Sequence, residues 1–563
     1  MEYLILMLAL LAVGALLFAN GLWNDRKMKV WRRKKFQEDF GKRADRIYED
    51  GEFQGISGYY RNHSSDFFID DITWNDLDMD EIFRQMNTTE SSAGQEYLYA
   101  LLRSPSFDET ELAERERLIS YFSERETERI RFQMLFHEMG RTRKYSIYDY
   151  LELLETMGRR SSGRLIFIDV LMVFSVCFIG VSASVGLVAF ICLLAFNICT
   201  YEKQKKEIEP YLITFKYVFR TVNAAEKFCR IKCSATQEAQ RKVKALLPKF
   251  GPLKRSGFFG MRGAGDGSNP AEFVIAYLNI MFHFDILLFN RMLHQVRDVK
   301  EEIDAVLTEL GRIDGLIAVA GYRKSLPGYC VPKLAEYMEA DECWMEAHSL
   351  YHPLLLKPVK NDITAGRGVL LTGSNASGKS TFLKAAAINA LFSQTIHACC
   401  ADFYQGCFVR VMSSMALRDD LGSGESYYIV EIRALKRILE AIEQKGAPVL
   451  CFVDEVLRGT NTVERIAASA RILKSLNQKG VCCFAATHDI ELTQLLEAEY
   501  DNYHFEEEIL ENDIHFPYRL MEGRASTRNA IRLLSVMGYE EQITVDAEHM
   551  AEEFLRSGIW QWK

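Results

Sequence analysis

The chain has 563 residues, 48% of them hydrophobic, which is enough for several domains with large cores. Its formal net charge of −9 argues against a protein that coats nucleic acid through a generally basic surface, but it leaves room for a local basic channel. The 13 cysteines are scattered without a Cys-x-x-Cys spacing, which favours neither a zinc site nor a secreted disulfide framework. We therefore expect reduced thiols in a cytosolic environment.

The chain opens with an almost uninterrupted apolar run, from Met1 to Trp23, that is long enough to span a bilayer. A dense basic run follows between Arg26 and Lys35, whereas a cleaved signal peptide carries its basic residues in front of the apolar run. We predict an uncleaved transmembrane anchor over 1–24 and a basic juxtamembrane linker over 25–62. The positive-inside rule places the basic end in the cytoplasm.

Residues 63–163 have helical periodicity and are predicted to form the first part of a helical core. Acidic residues cluster at Asp70 and Asp71 and again from Asp76 to Glu81. Acids at such positions are typical of helix starts and of a solvated helix face, and we expect both here.

A second apolar block, 165–199, contains only Asp169 and Asn197 as strongly polar residues, and the segment predicted from it is 164–200. It is too long for one membrane span but divides near 180–186 into two short ones. Basic residues flank both ends, which favours a transmembrane hairpin whose two ends are cytoplasmic. A buried pair of helices inside the core is the alternative.

Residues 201–340 are predicted to complete the helical core, with one long lever helix from 270 to 309. Between the flanking helices lies a cluster of basic and aromatic residues. This cluster has three readings: contacts with DNA phosphates, contacts with anionic lipid headgroups, and an ordinary solvated loop. The candidate DNA contacts are Lys249, Lys254, Arg255 and Arg262.

A glycine-rich segment follows an apolar run, 368–372, that predicts a buried strand, and precedes a run, 382–391, that predicts a helix. This context is typical of a phosphate-binding loop, in which backbone N–H groups face the phosphates, Lys379 reaches the β and γ oxygens and the Ser380 hydroxyl ligates Mg²⁺. A glycine-rich turn that matches by chance is the alternative. The predicted nucleotide contacts are Gly373, Ser374, Asn375, Ala376, Ser377, Gly378, Lys379, Ser380 and Thr381.

Two further apolar strands are predicted to end in chemically active side chains. The run 449–453 ends at Asp454, which can hold Mg²⁺, and at Glu455, which can orient the attacking water. The run 481–486 ends near His488, which can sense a γ-phosphate. We therefore predict Glu455, His488 and Lys379 as catalytic residues, and Ser380 and Asp454 as the metal ligands.

Three segments together resemble the ATPase domain of the MutS family of DNA mismatch-repair proteins: 454–462, 486–493 and 419–431. The family's usual forms are a Thr-Gly-Pro-Asn-x-x-Gly-Lys-Ser loop, an Asp-Glu-x-x-Arg-Gly-Thr run, an Ala-Thr-His segment and a Ser-x-Phe-x-x-Glu segment. Here Asn375 fits, Ser374 replaces the usual Pro, and Tyr428 replaces the Phe. The likeness covers roughly 70–538 and is strong in the ATPase half and weaker before it.

The resemblance implies a homodimeric, ABC-type ATPase that uses ATP and Mg²⁺ and acts on DNA. It also implies that each composite site receives Ser426 from the opposite subunit. The sequence departs from full-length members of the family before the core, where it offers no counterpart of the mismatch-reading domain with its Phe-x-Glu wedge or of the connector domain. Lesion reading by that wedge is therefore not expected.

We predict a multidomain α and α/β fold. An anchor and linker precede a helical core that is interrupted by the hairpin, and residues 341–563 form a P-loop ATPase domain with C-terminal dimerisation helices. The predicted protein is a dimeric clamp at the cell membrane, with its core and ATPase domain in the cytoplasm, whose ATP cycle changes its grip on mismatched or branched DNA. The alternative is a membrane-bound conformational ATPase that acts on a protein or envelope partner without recognising DNA.

Overall fold

The computed structural model describes residues 2–49, 51–142, 145–156, 162–257, 277–335, 343–374, 376–415, 427–444, 446–457, 461–510, 513–525, 531, 534–535, 537–560 and 562. The chain divides into two compact units. The first consists of Met1–Ser64, Gln85–Ala100 and Arg117–Ser325, and the second of Ser65–Arg84, Leu101–Glu116 and Leu326–Lys563.

All described elements before residue 326 are helical, as the periodicity of this half predicts. In chain order they are α1 (Glu2–Asp39), α2 (Glu52–Ile56), α3 (Gly58–Asn62), α4 (Asp71–Asp76), α5 (Met79–Met86), α6 (Ser92–Arg103), α7 (Glu109–Glu124), α8 (Glu126–Met139), α9 (Ile147–Thr156), α10 (Gly163–Phe178), α11 (Ala183–Phe228), α12 (Gln237–Leu246), a short 3₁₀ turn (Leu247–Phe250), α13 (Gly251–Gly257), α14 (Phe284–Arg297) and α15 (Lys300–Ser325).

The apolar block 164–200 forms a helical hairpin in which α10 and α11 pack against each other. The turn lies at 179–182, close to the predicted division, but α11 continues as one helix far beyond residue 200, to Phe228. Within the searched part of the chain, the segment Ala183–Glu209 is long and apolar enough to cross a bilayer, with a mean hydropathy of 2.2. A core helix of a soluble protein passes the same test of length and composition, but only 11% of this apolar window is buried.

The predicted lever helix over 270–309 is wrong in its continuity, and part of it, 270–276, lies outside the described residues. The helix is interrupted at His283, whose φ of 50° is left-handed, and again between Arg297 and Lys300. The His283 ring is fully buried, and its Nδ1 lies 2.9 Å from Oδ1 of Asp169 on α10. This hydrogen bond fixes a backbone conformation that a continuous helix forbids. Helical periodicity alone does not reveal such a break.

Helices α6 and α15 approach closely at small residues. A Cβ on Gly311 of α15 would lie 2.5 Å from the carbonyl oxygen of Ala93 on α6. Asp314, one turn further along α15, is 1% exposed and accepts hydrogen bonds at the start of α6 from the Ser91 amide (2.9 Å), the Ser91 hydroxyl (2.6 Å) and the Glu90 amide. A carboxylate at this end of α6 satisfies N–H groups that the helix itself leaves unpaired.

Burial raises the pKa of Asp314 to about 7, although the Ser91 hydroxyl works against this shift. The ordinary aspartate pKa is about 3.9, so the folded chain holds this proton more tightly than the unfolded chain. The contribution of Asp314 to the free energy of unfolding should therefore fall as pH rises from about 4 to about 7. Thermal unfolding followed over this range should show a weaker decline for Asp314→Asn than for the parent chain. Asp298→Asn, an exposed aspartate in the same unit, should leave the profile unchanged.

The second unit contains all the described strands. They are β1 (Lys333–Ala335), β2 (Met345–Leu350), β3 (Asn361–Ala365), β4 (Gly368–Thr372), β5 (Phe403–Cys407), β6 (Arg410–Ser414), β7 (Val449–Asp454), β8 (Val481–Ala486), β9 (Tyr500–His504), β10 (Glu508–Leu510), β11 (Asp513–His515) and β12 (Met521–Glu522). Its later helices are α16 (Lys379–Thr395), α17 (Tyr427–Glu443), α18 (Thr462–Leu476), α19 (Glu491–Leu495) and α20 (Glu541–Ser557).

Six strands form the main sheet in the order β12-β9-β4-β8-β7-β6. All neighbours in it are parallel except β12, which runs antiparallel to β9. Helix α16 packs on β7 and β8, while the apolar side chains of α17 and α18 share a buried cluster with the opposite face of the sheet. A second sheet has the order β1-β5-β2-β3, and β10 pairs with β11. The strands predicted over 368–372, 449–453 and 481–486 and the helix predicted over 382–391 are confirmed.

The segment Ser65–Arg84 belongs to the second unit, whereas the sequence placed it within a helical core of 63–163. Asp70 caps α4 by accepting a hydrogen bond from the Thr73 amide at 2.8 Å, so the predicted helix start is confirmed. Asp76 is not on a solvated face. It is 3% exposed and accepts hydrogen bonds from the Ser413 hydroxyl (2.6 Å) and the Met415 amide (2.9 Å), which ties α4 to the end of β6.

Candidate functional site

The register of the main sheet aligns the carboxyl ends of three strands. Ala486 of β8 pairs with Leu371 of β4 on one side and with Asp454 of β7 on the other. The hydrogen bonds continue one residue further, because the Glu455 amide donates to Ala486 O and the Thr487 amide donates to Leu371 O, both at 2.9 Å. The segments that follow these strands therefore start at one edge of the sheet, where open α/β sheets bind their ligands.

Two glycines of the loop after β4 have a positive φ that side chains rarely allow, and one of them also lacks space for a Cβ. Gly373 has a φ of 147°, and a Cβ there would lie 2.7 Å from the Phe505 carbonyl oxygen. Gly378 has a φ of 107° and immediately precedes α16. Ser374, at the position where the family usually has Pro, donates its hydroxyl to Oε2 of Glu507 at 2.7 Å. That hydrogen bond restrains the loop where a proline ring would otherwise do so.

Lys379 is the first residue of α16 and is 6% exposed. Its Nζ donates to the carbonyl oxygens of Gly373 and Ser374, each at 2.8 Å. The ammonium group therefore lies across the loop, next to the N-terminus of a 17-residue helix whose first N–H groups have no partner within the helix. A positive side chain and a helix N-terminus at one place form an anion site.

Opposite the loop, Glu455 and His488 form a pair, with Oε1 of Glu455 lying 2.8 Å from Nε2 of His488. Glu455 has a φ of 58°, which is uncommon for a residue with a side chain and is often found at functional sites. Asp454, the last residue of β7, is 8% exposed. Carboxylate and hydroxyl oxygens are the ligands that Mg²⁺ prefers, so Asp454 and Ser380 fit that ion.

Two contacts hold the loops that carry this pair. Arg465 of α18 donates two hydrogen bonds to Asp489, the neighbour of His488, with Nε–Oδ2 and Nη2–Oδ1 distances of 2.9 and 2.5 Å. This hydrogen bonding raises the pKa of Arg465. The buried carboxylate of Glu431 on α17 accepts a hydrogen bond from the Leu457 amide. The family-type segment 419–431 is thus bonded through its last residue to the segment that follows Glu455.

The loop, Glu455 and His488 line one cavity of about 670 Å³, a size that suits a nucleotide. Its lining also includes apolar and aromatic side chains: Leu350, Tyr351, Leu355, Val359, Phe382, Phe505 and Tyr518. Tyr518 lies against Gly378, where an added Cβ would be 3.1 Å from its Cδ1. The cavity thus combines a cationic, N–H-rich loop with apolar and aromatic side chains, as a molecule with phosphates and an aromatic base requires.

His352, which also lines the cavity, is held neutral. Burial and the nearby Lys384 lower its pKa to about 4. Its Nδ1 accepts a hydrogen bond from the Leu354 amide at 3.2 Å, which leaves the ring proton on Nε2. A neutral imidazole with one N–H donor can recognise a base or sugar without adding charge.

The structure therefore places six described loop residues, Glu455 and His488 on the lining of one cavity. The six are Ala376, Ser377, Gly378, Lys379, Ser380 and Thr381. Gly373 and Ser374 are not part of that lining but accept hydrogen bonds from Lys379, and Asp454 is not part of it either. Asn375, Ser426 and Arg262 lie outside the described residues. The sequence analysis missed His352 and Tyr518 as site residues. The pair His352-Pro353 could have indicated a site residue, because it precedes the first strands predicted for the ATPase domain. Nothing in the local pattern around Tyr518 indicates a contact with Gly378.

The candidate DNA contacts lie in the first unit. The Lys249 ammonium is paired with Glu302, and the Lys254 ammonium is paired with Glu226. Arg255 is exposed at the end of α13. Two of the three described candidates thus form ion pairs with neighbouring carboxylates. These pairs weaken the attraction of the two lysines for a phosphate backbone.

The comparisons with known proteins agree with this geometry. The family model of MutS domain V matches residues 369–555, the region that contains Lys379, Glu455 and His488. This region of the chain is similar to MutS domain V.

Several relatives are named "DNA mismatch repair protein MutS". The protein from Thermotoga petrophila is 28% identical over 276 residues, which cover 47% of this chain and 33% of that protein. The protein from Aquifex pyrophilus is 28% identical over 275 residues, covering 46% and 31%, and the one from Thermotoga neapolitana is 31% identical over 217 residues, covering 37% and 26%. The chain thus matches about a third or less of the length of these MutS relatives.

Proposed function

We propose that this chain binds ATP with Mg²⁺ and hydrolyses it, and that the cycle controls its grip on DNA. The observation that carries the ATPase proposal is the cavity in which Lys379, Glu455 and His488 face one another. Phosphoryl transfer needs little covalent chemistry from the protein, so positioning and charge stabilisation by such groups supply most of the catalysis.

In this mechanism Lys379 exchanges its two carbonyl acceptors for the β and γ oxygens of ATP, and the N–H groups at the start of α16 hold the remaining phosphate charge. Ser380 and Asp454 would hold Mg²⁺, which would neutralise charge that develops on the phosphate oxygens. Glu455 accepts the proton of the attacking water, and His488 fixes the Glu455 carboxylate through their 2.8 Å contact. The Tyr518 ring covers the base.

The same proposal makes the working unit a homodimer in which Ser426 of one subunit completes the γ-phosphate site of the other. The support is the similarity to MutS domain V together with the hydrogen bond from the Leu457 amide to Glu431. This bond links the segment that carries Ser426 to the loop that carries Glu455. A movement of that segment on nucleotide binding would therefore be transmitted to Glu455, which lies two residues before Leu457.

The membrane part of the proposal rests on the exposed apolar surface of α10 and α11 and on the basic residues that flank the N-terminal apolar run. An N-terminal anchor and the hairpin would tether the clamp to the cell membrane, with the core and the ATPase domain in the cytoplasm. The DNA substrate, mismatched or branched, is proposed from the family alone.

The alternative function is a membrane-bound conformational ATPase whose partner is a protein or another envelope component. The specific observation that favours it is the pairing of Lys249 with Glu302 and of Lys254 with Glu226. Those pairs leave less positive charge for DNA on the surface where the sequence places it.

Binding of the detergent-solubilised chain to homoduplex, mismatched and branched DNA across a salt series, with and without ATP, tests the choice. If the cluster contacts phosphates, Lys254→Gln with Arg255→Gln should weaken DNA binding about tenfold and reduce the slope of log K against log salt by about two. Lys436→Gln with Arg471→Gln, two exposed charges on α17 and α18, is the matched control and should change neither. ATPase activity with no binding to any of the three DNAs would select the alternative.

A further inference from the structure

A groove of about 620 Å³ lies among three helices of the first unit. Helices α1 and α11 both pack against α8, and residues of all three helices line the groove. Its charged lining has four cations and one carboxylate: Arg33, Lys34, Arg131, Lys227 and Glu138. In a chain with a formal net charge of −9, such a local excess of positive charge indicates a site for an anionic partner.

Two aromatic side chains fix the end of α1 against α8. The buried Phe36 ring lies edge-on to the ring of His137, with 6.2 Å between their centroids. One turn further along α1, the guanidinium of Arg129 lies 3.4 Å from the centroid of the Phe40 ring. Arg33 comes three residues before Phe36, and residues three apart share a helix face. The packing of α1 therefore holds Arg33 on the face that meets α8.

Two of the four cations are already engaged by carboxylates. The Lys227 ammonium pairs with Glu138 on α8. The Lys34 ammonium lies 3.5 Å from Oε1 of Glu38, one turn further along α1, and both of these side chains are largely exposed. Exposed pairs of this kind are weak, so an incoming anion can take Lys34 over from Glu38.

The two arginines carry the remaining positive charge of the lining. Arg33 on α1 and Arg131 on α8 are both exposed, and neither forms an ion pair with a carboxylate in the described segments of the chain. Arg230 and Lys232, which flank the lining residue Ile231, are exposed as well. A guanidinium stays charged and offers paired N–H donors that match two oxygens of one phosphate. The arginines are therefore available to phosphates from two different helices.

Much of the remaining lining is apolar. It includes Ile130, Met134 and Leu135 of α8 and Ile231, which follows the end of α11. A free inorganic phosphate would leave these side chains unmatched. A sugar-phosphate strand alternates anionic phosphates with sugars that carry apolar C–H groups, so it matches both kinds of lining. Proteins that bind single strands use positively charged grooves in this way.

The place of the groove along α1 favours a nucleic acid over a lipid headgroup. Helix α1 runs without a break from the N-terminal apolar run to the groove. Arg33 lies about 15 Å along the helix axis from Trp23, where that run ends. The headgroup layer extends only about 5–8 Å beyond the hydrocarbon core on each side. If α1 spans the bilayer as proposed, the groove therefore lies in the aqueous phase beyond the headgroups.

We propose that this groove holds one sugar-phosphate strand of the DNA, with phosphates at Arg33 and Arg131 and a sugar over the apolar side chains. The inference rests on the DNA part of the proposed function. It gives the grip on DNA a contact surface apart from Lys249 and Lys254, whose ammonium groups are paired with carboxylates.

Arg33→Gln with Arg131→Gln tests the inference, in the detergent-solubilised full chain with mismatched and branched DNA across a salt series. Loss of two phosphate contacts should reduce the slope of log K against log salt by about two and weaken binding about tenfold. Arg33→Lys with Arg131→Lys keeps both charges and should keep most of the slope. Arg291→Gln with Arg471→Gln is the matched control, because these two exposed arginines do not line the groove, and it should change neither quantity.

Thr127→Trp separates a bound strand from a general effect of charge, because Thr127 is an exposed residue of the lining. The added ring fills the groove without changing its charge, so binding should weaken here too. DNA binding that is unchanged in Arg33→Gln with Arg131→Gln would overturn the inference and leave the proposed function standing. A parent chain that binds none of the DNAs would defeat both.

The lipid alternative has its own measurement. The parent chain and the Arg33→Gln, Arg131→Gln variant would be placed in bilayers with equal amounts of phosphatidylglycerol and phosphatidylcholine, and the lipid retained on the extracted protein would be measured by native mass spectrometry. We expect the two proteins to retain the same proportions of the two lipids. A preference for phosphatidylglycerol that the variant loses, while its DNA binding stays intact, would assign the groove to a lipid headgroup and overturn the inference.

Discussion

A Glu455→Gln variant is expected to bind ATP as tightly as the parent chain and to hydrolyse it at least about 100-fold more slowly. Glutamine keeps the size of the side chain and can still hydrogen bond to His488, so the backbone at this left-handed residue has no new strain to accommodate. It cannot accept a proton from water at neutral pH. Single-turnover hydrolysis and equilibrium binding of a fluorescent ATP analogue measure the two quantities separately.

Glu464→Gln is the control for this experiment, because Glu464 is an exposed carboxylate in the first turn of α18. It should change neither binding nor turnover. Turnover by Glu455→Gln at the rate of the parent chain would remove Glu455 as the base. A loss of binding along with turnover would show that the residue holds the site together and would leave the base unassigned.

If the hairpin enters the bilayer as proposed, exchange of two of its exposed apolar residues for lysine is expected to expel it. Phe174 is 66% and Val188 is 62% exposed, on α10 and α11 respectively. A lysine near the centre of a membrane helix costs about 2.5–3.5 kcal/mol, so the pair Phe174→Lys and Val188→Lys outweighs much of the gain from burying a short hairpin in lipid. The rest of the chain does not depend on these two side chains for packing, because they point away from its core.

The native thiol of Cys192 on α11 provides the measurement. In reconstituted vesicles, a maleimide that cannot cross membranes should label Cys192 slowly in the parent chain and at the rate of an open thiol in the lysine variant. Leu495→Lys makes the same exchange at an exposed position of α19 and should leave the slow rate unchanged. Fast labelling of the parent chain from the outset would show that the hairpin lies outside the bilayer.

The catalytic end of the cavity could be predicted from the sequence because its signals are local. A buried strand, a glycine-rich turn and a helix follow one another within 368–391, and Asp454 and His488 come directly after apolar strands. Parallel strands bring such ends to one edge, so Lys379, Glu455 and His488 could be assembled without coordinates. The place of Tyr518 in the cavity could not be predicted in this way, because Tyr518 contacts Gly378 across 140 residues of sequence and no local pattern records that contact.

In the helical half of the chain, too, contacts between distant segments could not be predicted from the sequence. The sequence predicts helices there, but it does not predict that Asp76 is buried against the end of β6 instead of facing solvent. Nor does it predict that His283 interrupts a helix in order to reach Asp169 on a helix more than a hundred residues earlier. Both side chains are polar, and the solvated reading is the usual one for polar residues on a helix.

For this protein the sequence by itself determined the elements and the chemistry that depends on neighbours along the chain: the apolar runs, the strand ends and the phosphate-binding loop. Only the tertiary structure decided which polar groups are buried and which carboxylates pair with Lys249 and Lys254. The physical reason is that secondary structure follows the periodicity of local side chains, whereas the burial and the partner of a polar atom depend on segments far away in the chain.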